Sequence, residues 1–363
     1  MNKVLILGGY GNFGKRIARL LIRQKIYVII AGRSREKAQE ALSKLDSLFC
    51  EVLIFDVNTN LSEHLEHLKP KVVINTCGPF QNTNYHIAKQ CIVHGIYYID
   101  LADGRDFVSG ISTLNESANA AGIAVISGAS SVPSLSSAVI EYYLKKHFSK
   151  IHTLKYGISP GQKSERGAAT MASILSYVGK KLKPCGIGNE ERYGWQNLYI
   201  QKYPKIGSRL MSNCDIPDLD LLPKKYGIQN IRFSAGIENS FLHLGLWGLS
   251  WLIRLGLPIN LVNYTNLFLK ISNLFNFIGS NNGGMHMIMS GIDNLGESIT
   301  KQWFIIALND HGPYIPAVAS VILAKKIINN RLNFTGAAPC LELFTLEEYL
   351  QEMEHLEIKT YEK

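Results

Sequence analysis

The clearest chemistry in this chain belongs to Gly8-Gly9-Tyr10-Gly11-Asn12-Phe13-Gly14. The turn follows a short apolar run, Val4-Leu5-Ile6-Leu7. It precedes apolar residues at Ile17, Leu20 and Leu21, which is helical spacing. Gly9, Gly11 and Gly14 fit G-x-G-x-x-G, and Gly8, Gly11 and Gly14 fit G-x-x-G-x-x-G. Strand, glycine turn and helix in that order suit a dinucleotide diphosphate. Glycine permits the unusual turn angles and lets phosphate approach main-chain N–H groups. The helix N-terminus then offers unpaired donors and the positive end of a dipole. The plain alternative is a tight strand-to-helix turn without a ligand.

A second strand is expected at Tyr27 to Ala31, and its end distinguishes the two nicotinamide dinucleotides. An NAD site places an acid there to hold the ribose 2′-hydroxyl. Here the chain reads Ala31-Gly32-Arg33-Ser34, with no acid before Glu36. Arg33 suits a 2′-phosphate, and Ser34 suits either that phosphate or the cap of the next helix. The cofactor expected is therefore NADP(H).

Hydride transfer also calls for a group that gives or takes a proton. The candidates are Asp100, Asp103, His286 and His311, with Lys163 as a fifth. Each has a bland reading beside it. Asp100 and Asp103 suit loop capping, His286 a core histidine, His311 a structural turn residue before Gly312-Pro313, and Lys163 a solvated charge. No nucleophile elbow and no metal-ligand spacing occurs in the sequence.

Alternating elements must position these groups. Strands are expected at Glu51 to Phe55, Val72 to Asn75, Tyr97 to Asp100 and Ile123 to Ser127. Helices are expected at Glu36 to Leu45, Leu61 to Leu68, Asn84 to His94 and Thr113 to Ala121. This alternation implies a doubly wound parallel sheet. Ligands bind such a sheet beyond the carboxyl ends of its strands. Asp56 and Val57 then flank the adenine, while Cys77, Gly78, Pro79 and Phe80 run beside the nicotinamide half.

After Ala129 the pattern changes. Strands are expected at Thr153 to Ile158, Ile231 to Ile237, Met285 to Ser290 and Ile299 to Leu308, with a helix at Gly167 to Lys181. The fold class is α/β: a Rossmann-type doubly wound parallel sheet over 1–128, a second α+β domain over 129–312, and closing helices over 313–363 that pack back on the first. Gly336 to Pro339 reads as a loop, and Thr345-Leu346-Glu347-Glu348 as a capping box.

The chain has 363 residues, 46% of them hydrophobic, and a formal charge of +9. The basic residues are dispersed, which argues against nucleic acid as a partner. Six scattered cysteines without C-x-x-C fit reduced thiols in a cytoplasmic protein. Met1-Asn2-Lys3 runs straight into the first strand, so no signal peptide is expected. Phe241 to Ile278 is rich in Leu, Trp and Phe, with formal charge only at Arg254 and Lys270. Pro258 and several glycines interrupt it, so it is not one clean membrane span. It reads as a pair of helices lining an apolar pocket or a dimer contact, with a membrane-surface contact or plain core as alternatives.

Gly8 to Gly14, Ala31 to Ser34, Asn75 to Phe80, Tyr98-Ile99-Asp100, and Trp303 through Gly312-Pro313 to Gly336–Cys340 together resemble the saccharopine dehydrogenase-like oxidoreductases. The resemblance implies an NADP-binding domain, a second α+β domain, a small-molecule substrate and a homodimer. Relatives of that kind include saccharopine reductases, polyamine-forming enzymes and trans-acting enoyl reductases. Ser130-Ser131-Val132-Pro133 departs from the acidic D-P-G turn expected of a saccharopine reductase. The expected function is hydride transfer to or from a C=N, C=O or C=C bond. A trans-acting enoyl reductase is the alternative activity, and a non-catalytic nucleotide-binding or membrane-associated accessory protein is the alternative class.

Overall fold

The computed structural model describes residues 2–45, 47–81, 83–186 and 191–363; Met1, where the leader reading begins, lies outside them. The strands are β1 (Val4–Leu7), β2 (Val28–Gly32), β3 (Cys50–Ile54), β4 (Val72–Asn75), β5 (Tyr97–Asp100), β6 (Ala124–Ser127), β7 (Lys150–Ser159), β8 (Tyr199–Tyr203), β9 (Gly207–Asn213), β10 (Asn230–Gly236), β11 (Gly283–Ile292), β12 (Ser298–Ala307), β13 (Gly336–Pro339) and β14 (Ile358–Glu362). They form two seven-stranded sheets. The chain divides into one unit of Met1–Val139 with Pro313–Glu352 and another of Ile140–Gly312 with Met353–Lys363.

The first unit is a parallel sheet in the order β13-β6-β5-β4-β1-β2-β3. β1 has β2 on one side and β4 on the other, so the winding reverses direction there. Val4 to Leu7, Val28 to Ala31 and Val72 to Ile74 are fully buried. Strands covered on both faces read as continuous apolar runs, which is why the sequence exposed them. Leu7 pairs with both Ala31 and Asn75, and Asn75 pairs with Asp100, so four strand ends finish at one level.

Several elements differ from expectation, among them β8, β9, the helix Asp218–Tyr226 and β14, which have no counterpart in the sequence reading. Gly336 to Pro339, read as a loop, is β13 and pairs with β6 in parallel. Four small residues carry no strand propensity. The strand exists because β6 offers an open edge and Asn115 Oδ1 accepts the Ala337 N–H at 3.0 Å. A helix over Arg105–Gly110 was also absent from the sequence reading; it is too short for helical periodicity to show. The capping box is present: Thr345 N–H donates to Glu348 Oε2 at 2.9 Å, and Glu348 N–H to Thr345 Oγ1 at 3.2 Å. It opens the helix Leu346–Glu352. The buried helix Ile315–Ile328 lies along the helix Asn12–Arg23, with Arg16 over the Tyr314 ring.

The second unit is a mixed sheet in the order β14-β12-β11-β7-β10-β9-β8. β7 and β10 are parallel, and the other pairs are antiparallel. The closing residues therefore divide: 313–352 belong to the first unit, whereas β14 pairs with β12 in the second sheet. The segment 241–278 forms a pair of helices, Ser240–Arg254 and Thr265–Leu274. They border a core cluster of Leu175, Val178, Trp195, Leu246 and Leu261.

Candidate functional site

The glycine turn fills the gap between the end of β1 and the helix Asn12–Arg23. Gly8 takes a φ of +74°, where L side chains are strained. A Cβ on Gly8 would meet Thr76 Oγ1 at 2.6 Å, one on Gly9 the Ile30 Cβ at 2.6 Å, and one on Gly14 the Gly8 carbonyl oxygen at 2.5 Å. Gly8 therefore makes the turn, Gly9 lets it pass β2, and Gly14 seats the helix on it. The Gly11 N–H closes the turn on the Gly8 carbonyl at 2.8 Å. Gly11 is also the helix N-cap and supplies no side-chain cap. A cradle barred to side chains, ending in an uncapped helix start, fits a diphosphate.

Tyr10 leans outward from the turn. Its ring occupies the space that a Cβ on Gly32 would need, and its hydroxyl donates to the Leu53 carbonyl. Burial pushes its hydroxyl pKa up to about 12. Tyr10 thus ties the turn to β2 and β3. Asn12 and Phe13 open the helix, and Arg16 donates back to the Asn12 carbonyl at 2.7 Å.

Arg33 follows β2 and is 79% exposed. Its guanidinium stands 4.0 Å from Asp56 Oδ2. Asp56 Oδ1 accepts from the Asn58 backbone N–H at 2.9 Å. Val57, next to it, packs partly against the core. Ser34 caps the helix Arg35–Lys44, its hydroxyl oxygen accepting from the Lys37 N–H at 3.3 Å. The sequence left Ser34 between phosphate contact and helix cap; in the structure it caps.

Cys77, Gly78, Pro79 and Phe80 continue from β4, with a cis Gly78–Pro79 bond. Asn75 Oδ1 accepts the Cys77 N–H, and Thr76 Oγ1 donates to the Leu7 carbonyl at 2.8 Å, so the loop is fixed to β1. Burial raises the Cys77 thiol to about 11, with Arg33 opposing and Asp56 adding to the rise. Phe80 is buried against Phe107.

Asp100 ends β5 and is fully buried. Its Oδ1 accepts from the Ala102 N–H, the Gly128 N–H and the Ser127 hydroxyl, each at 2.9 Å. Burial raises its carboxyl to about 6, while these donors and Tyr98 pull the other way. Asp100 therefore clamps the ends of β5 and β6 together. Asp103 is half-buried beside it and accepts from Gln81 Nε2 at 3.1 Å. Sequence reasoning did not single out Ser127 and Gly128. The signal was available: a Ser-Gly pair closes a strand predicted to end on the same edge.

The remaining candidates lie in the second unit. His286 is fully buried on β11, with Nδ1 at 2.8 Å from the Tyr203 hydroxyl. Burial lowers its pKa to about 3, so it is neutral. His311 Nδ1 accepts the Glu357 N–H at 2.9 Å, tying its turn to the segment before β14. Lys163 is exposed, and its backbone N–H donates to the Ser280 carbonyl. The sequence did not point to the Arg209–Glu238 pair at 3.0 Å. Burial pushes the Glu238 carboxyl up, but the backbone N–H groups of Gln162 and Ser280, the Ser280 hydroxyl and Arg209 together outweigh it and hold the carboxyl below the usual range. Among the described residues no cluster of His, Cys, Asp and Glu could hold a metal, and no helix is long and apolar enough to cross a membrane.

Residues 4–126 match the family model described as the saccharopine dehydrogenase NADP binding domain. The whole fold is similar to that of apo histidine-tagged saccharopine dehydrogenase (L-Glu forming) from Saccharomyces cerevisiae, with 12% identity, 100% of both chains covered and a TM-score of 0.70. At that identity the likeness is one of fold. Partial matches include the Bordetella bronchiseptica enzyme WbmG in complex with NAD, at 16% identity over 27% of this chain and 36% of that one, with a TM-score of 0.24. Candida albicans Gre2 in complex with NADPH matches at 17% identity over 28% and 36%, also with a TM-score of 0.24. No curated protein matches the chain.

Proposed function

We propose, for a chain whose residues 4–126 match the saccharopine dehydrogenase NADP binding domain, that it transfers hydride between NADP(H) and a C=N, C=O or C=C bond of a small organic substrate. The observation that carries this is the turn at the winding reversal of the parallel sheet, where Gly8, Gly9 and Gly14 leave no room for a Cβ, with a guanidinium rather than a carboxylate after β2. The Gly8 to Gly14 turn would hold the diphosphate on main-chain N–H groups. Arg33 would meet the 2′-phosphate, Asp56 and Val57 would border the adenine, and Cys77 to Phe80 would border the nicotinamide. The bound nicotinamide supplies the hydride acceptor or donor. Asp100 keeps the strand ends in register, since its Oδ1 is already engaged by three donors.

The test is NADPH oxidation against a panel of imines, ketones and enoyl thioesters. Turnover of one class identifies the bond reduced. The rival reading, an accessory protein that binds the nucleotide without turnover, draws on the exposed apolar helices of the second unit. Tight NADPH binding with no turnover across the panel would favour it, and failure to bind NADPH would end the proposal.

A further inference from the structure

The helix Ser240–Arg254 is apolar on the wrong side. His243, Leu246 and Ser250 are its buried residues, and they fall on one face at helical spacing. Phe241, Leu244, Leu252 and Leu255 lie on the opposite face and are exposed; Phe241 and Leu255 are each 78% accessible. In a surface helix that outer face is ordinarily polar. The helix Thr265–Leu274 repeats the anomaly: Leu267, Ile271 and Leu274 recur at helical spacing and are exposed. The connection Gly256 to Asn260 is exposed as well. An apolar surface this extensive marks a contact with something other than water.

Charge identifies the partner. From Asn239 to Ile292 the sequence has no Asp or Glu. The charges that do occur on the helices are Arg254 and Lys270, both exposed. Arg254 lies over the Tyr193 ring and donates to Gln196 Oε1 at 2.7 Å, and the nearby acid Glu191 is already paired with Lys181. Gly179 abuts the same helix end, where a Cβ would meet the Ser250 carbonyl at 2.4 Å, and it leads into exposed Lys180. A second copy of this face would bring like charges together, whereas an anionic lipid surface would pair them. Trp251, partly exposed on the same helix, suits a headgroup boundary. Neither helix can cross a bilayer, so both would lie in its surface.

We propose that the helices Ser240–Arg254 and Thr265–Leu274 form a docking face for an anionic lipid surface. The proposal is independent of the dinucleotide reading. The test is flotation of the full chain with vesicles of phosphatidylcholine alone and with about 30% phosphatidylglycerol. Wild type is expected to float with the anionic vesicles and to release as salt rises from about 0.1 to about 0.5 M. The triple variant Phe241→Ser, Leu255→Ser, Leu274→Ser is expected to bind at least about tenfold more weakly. Its thermal unfolding and NADPH titration should match wild type, because the three side chains are exposed. Lys180→Glu with Lys270→Glu should weaken binding to the anionic vesicles selectively. Failure of wild type to float, or equal flotation of the triple variant, overturns the proposal. A solution dimer that the triple variant splits, without any vesicle binding, overturns it and gives the face to a second copy.

Discussion

Replacing Arg33 by Ala is expected to weaken NADPH binding by about five- to thirty-fold and to leave NADH binding almost unchanged. The magnitude follows from exposure. At 4 Å two unit charges attract by about 1 kcal/mol in water and about 4 kcal/mol near a protein surface. Arg33 is 79% accessible, so the water-like limit applies. A phosphate carries nearly two charges at neutral pH, which gives about 1–2 kcal/mol. Asp56 supplies the internal control. It lies 4.0 Å from the same guanidinium and would repel a phosphate placed there. Asp56→Asn should therefore tighten NADPH by about 1 kcal/mol, and the double variant should show non-additive effects. Calorimetric titration of both nucleotides at low salt and at about 0.5 M salt reads all three, and the Arg33 effect should shrink with salt. Equal losses for NADH and NADPH in Arg33→Ala, or weaker NADPH binding in Asp56→Asn, would refute the reasoning.

Gly14→Ala places a methyl 2.5 Å from the Gly8 carbonyl oxygen and 2.7 Å from Gly9 Cα. It should cost about 1–3 kcal/mol by overpacking and abolish the NADPH-induced rise in Tm, as seen by thermal unfolding with and without nucleotide. Asp100 has a folded pKa of about 6, above its unfolded value. The stability it contributes is present at acid pH and is lost as pH rises through about 6. Asp100→Asn should accordingly gain on wild type by about 2 kcal/mol between pH 4 and 7, and parallel stability curves would contradict this. His286, lowered to about 3, should show no NMR titration above pH 5, and a midpoint near 6.5 would disprove its burial as a neutral ring. Thr345→Ala removes the hydroxyl that accepts the Glu348 N–H, and should cost about 1 kcal/mol in chemical denaturation.

The amino-acid order by itself determined the parallel strands β1 to β6 and the edge on which their carboxyl ends fall. Val4 to Leu7 and Val72 to Ile74 are apolar runs buried on both faces, and such runs announce themselves without any neighbour. The glycine turn was legible for the same local reason. Its two overlapping spacings were not separable until Gly8 showed a φ of +74° and Gly9 met Ile30. Tertiary structure alone decided that Gly336 to Pro339 is a strand, that Ser34 caps, that Asp56 faces Arg33, and that Asp100 is gripped by Ser127 and Gly128. It also decided that Phe241 and Leu255 face outward, although their sequence reads as readily as core. The division has one physical cause. Periodicity and backbone permissiveness are written into neighbouring residues, whereas pairing and burial depend on segments far along the chain that meet only when it folds.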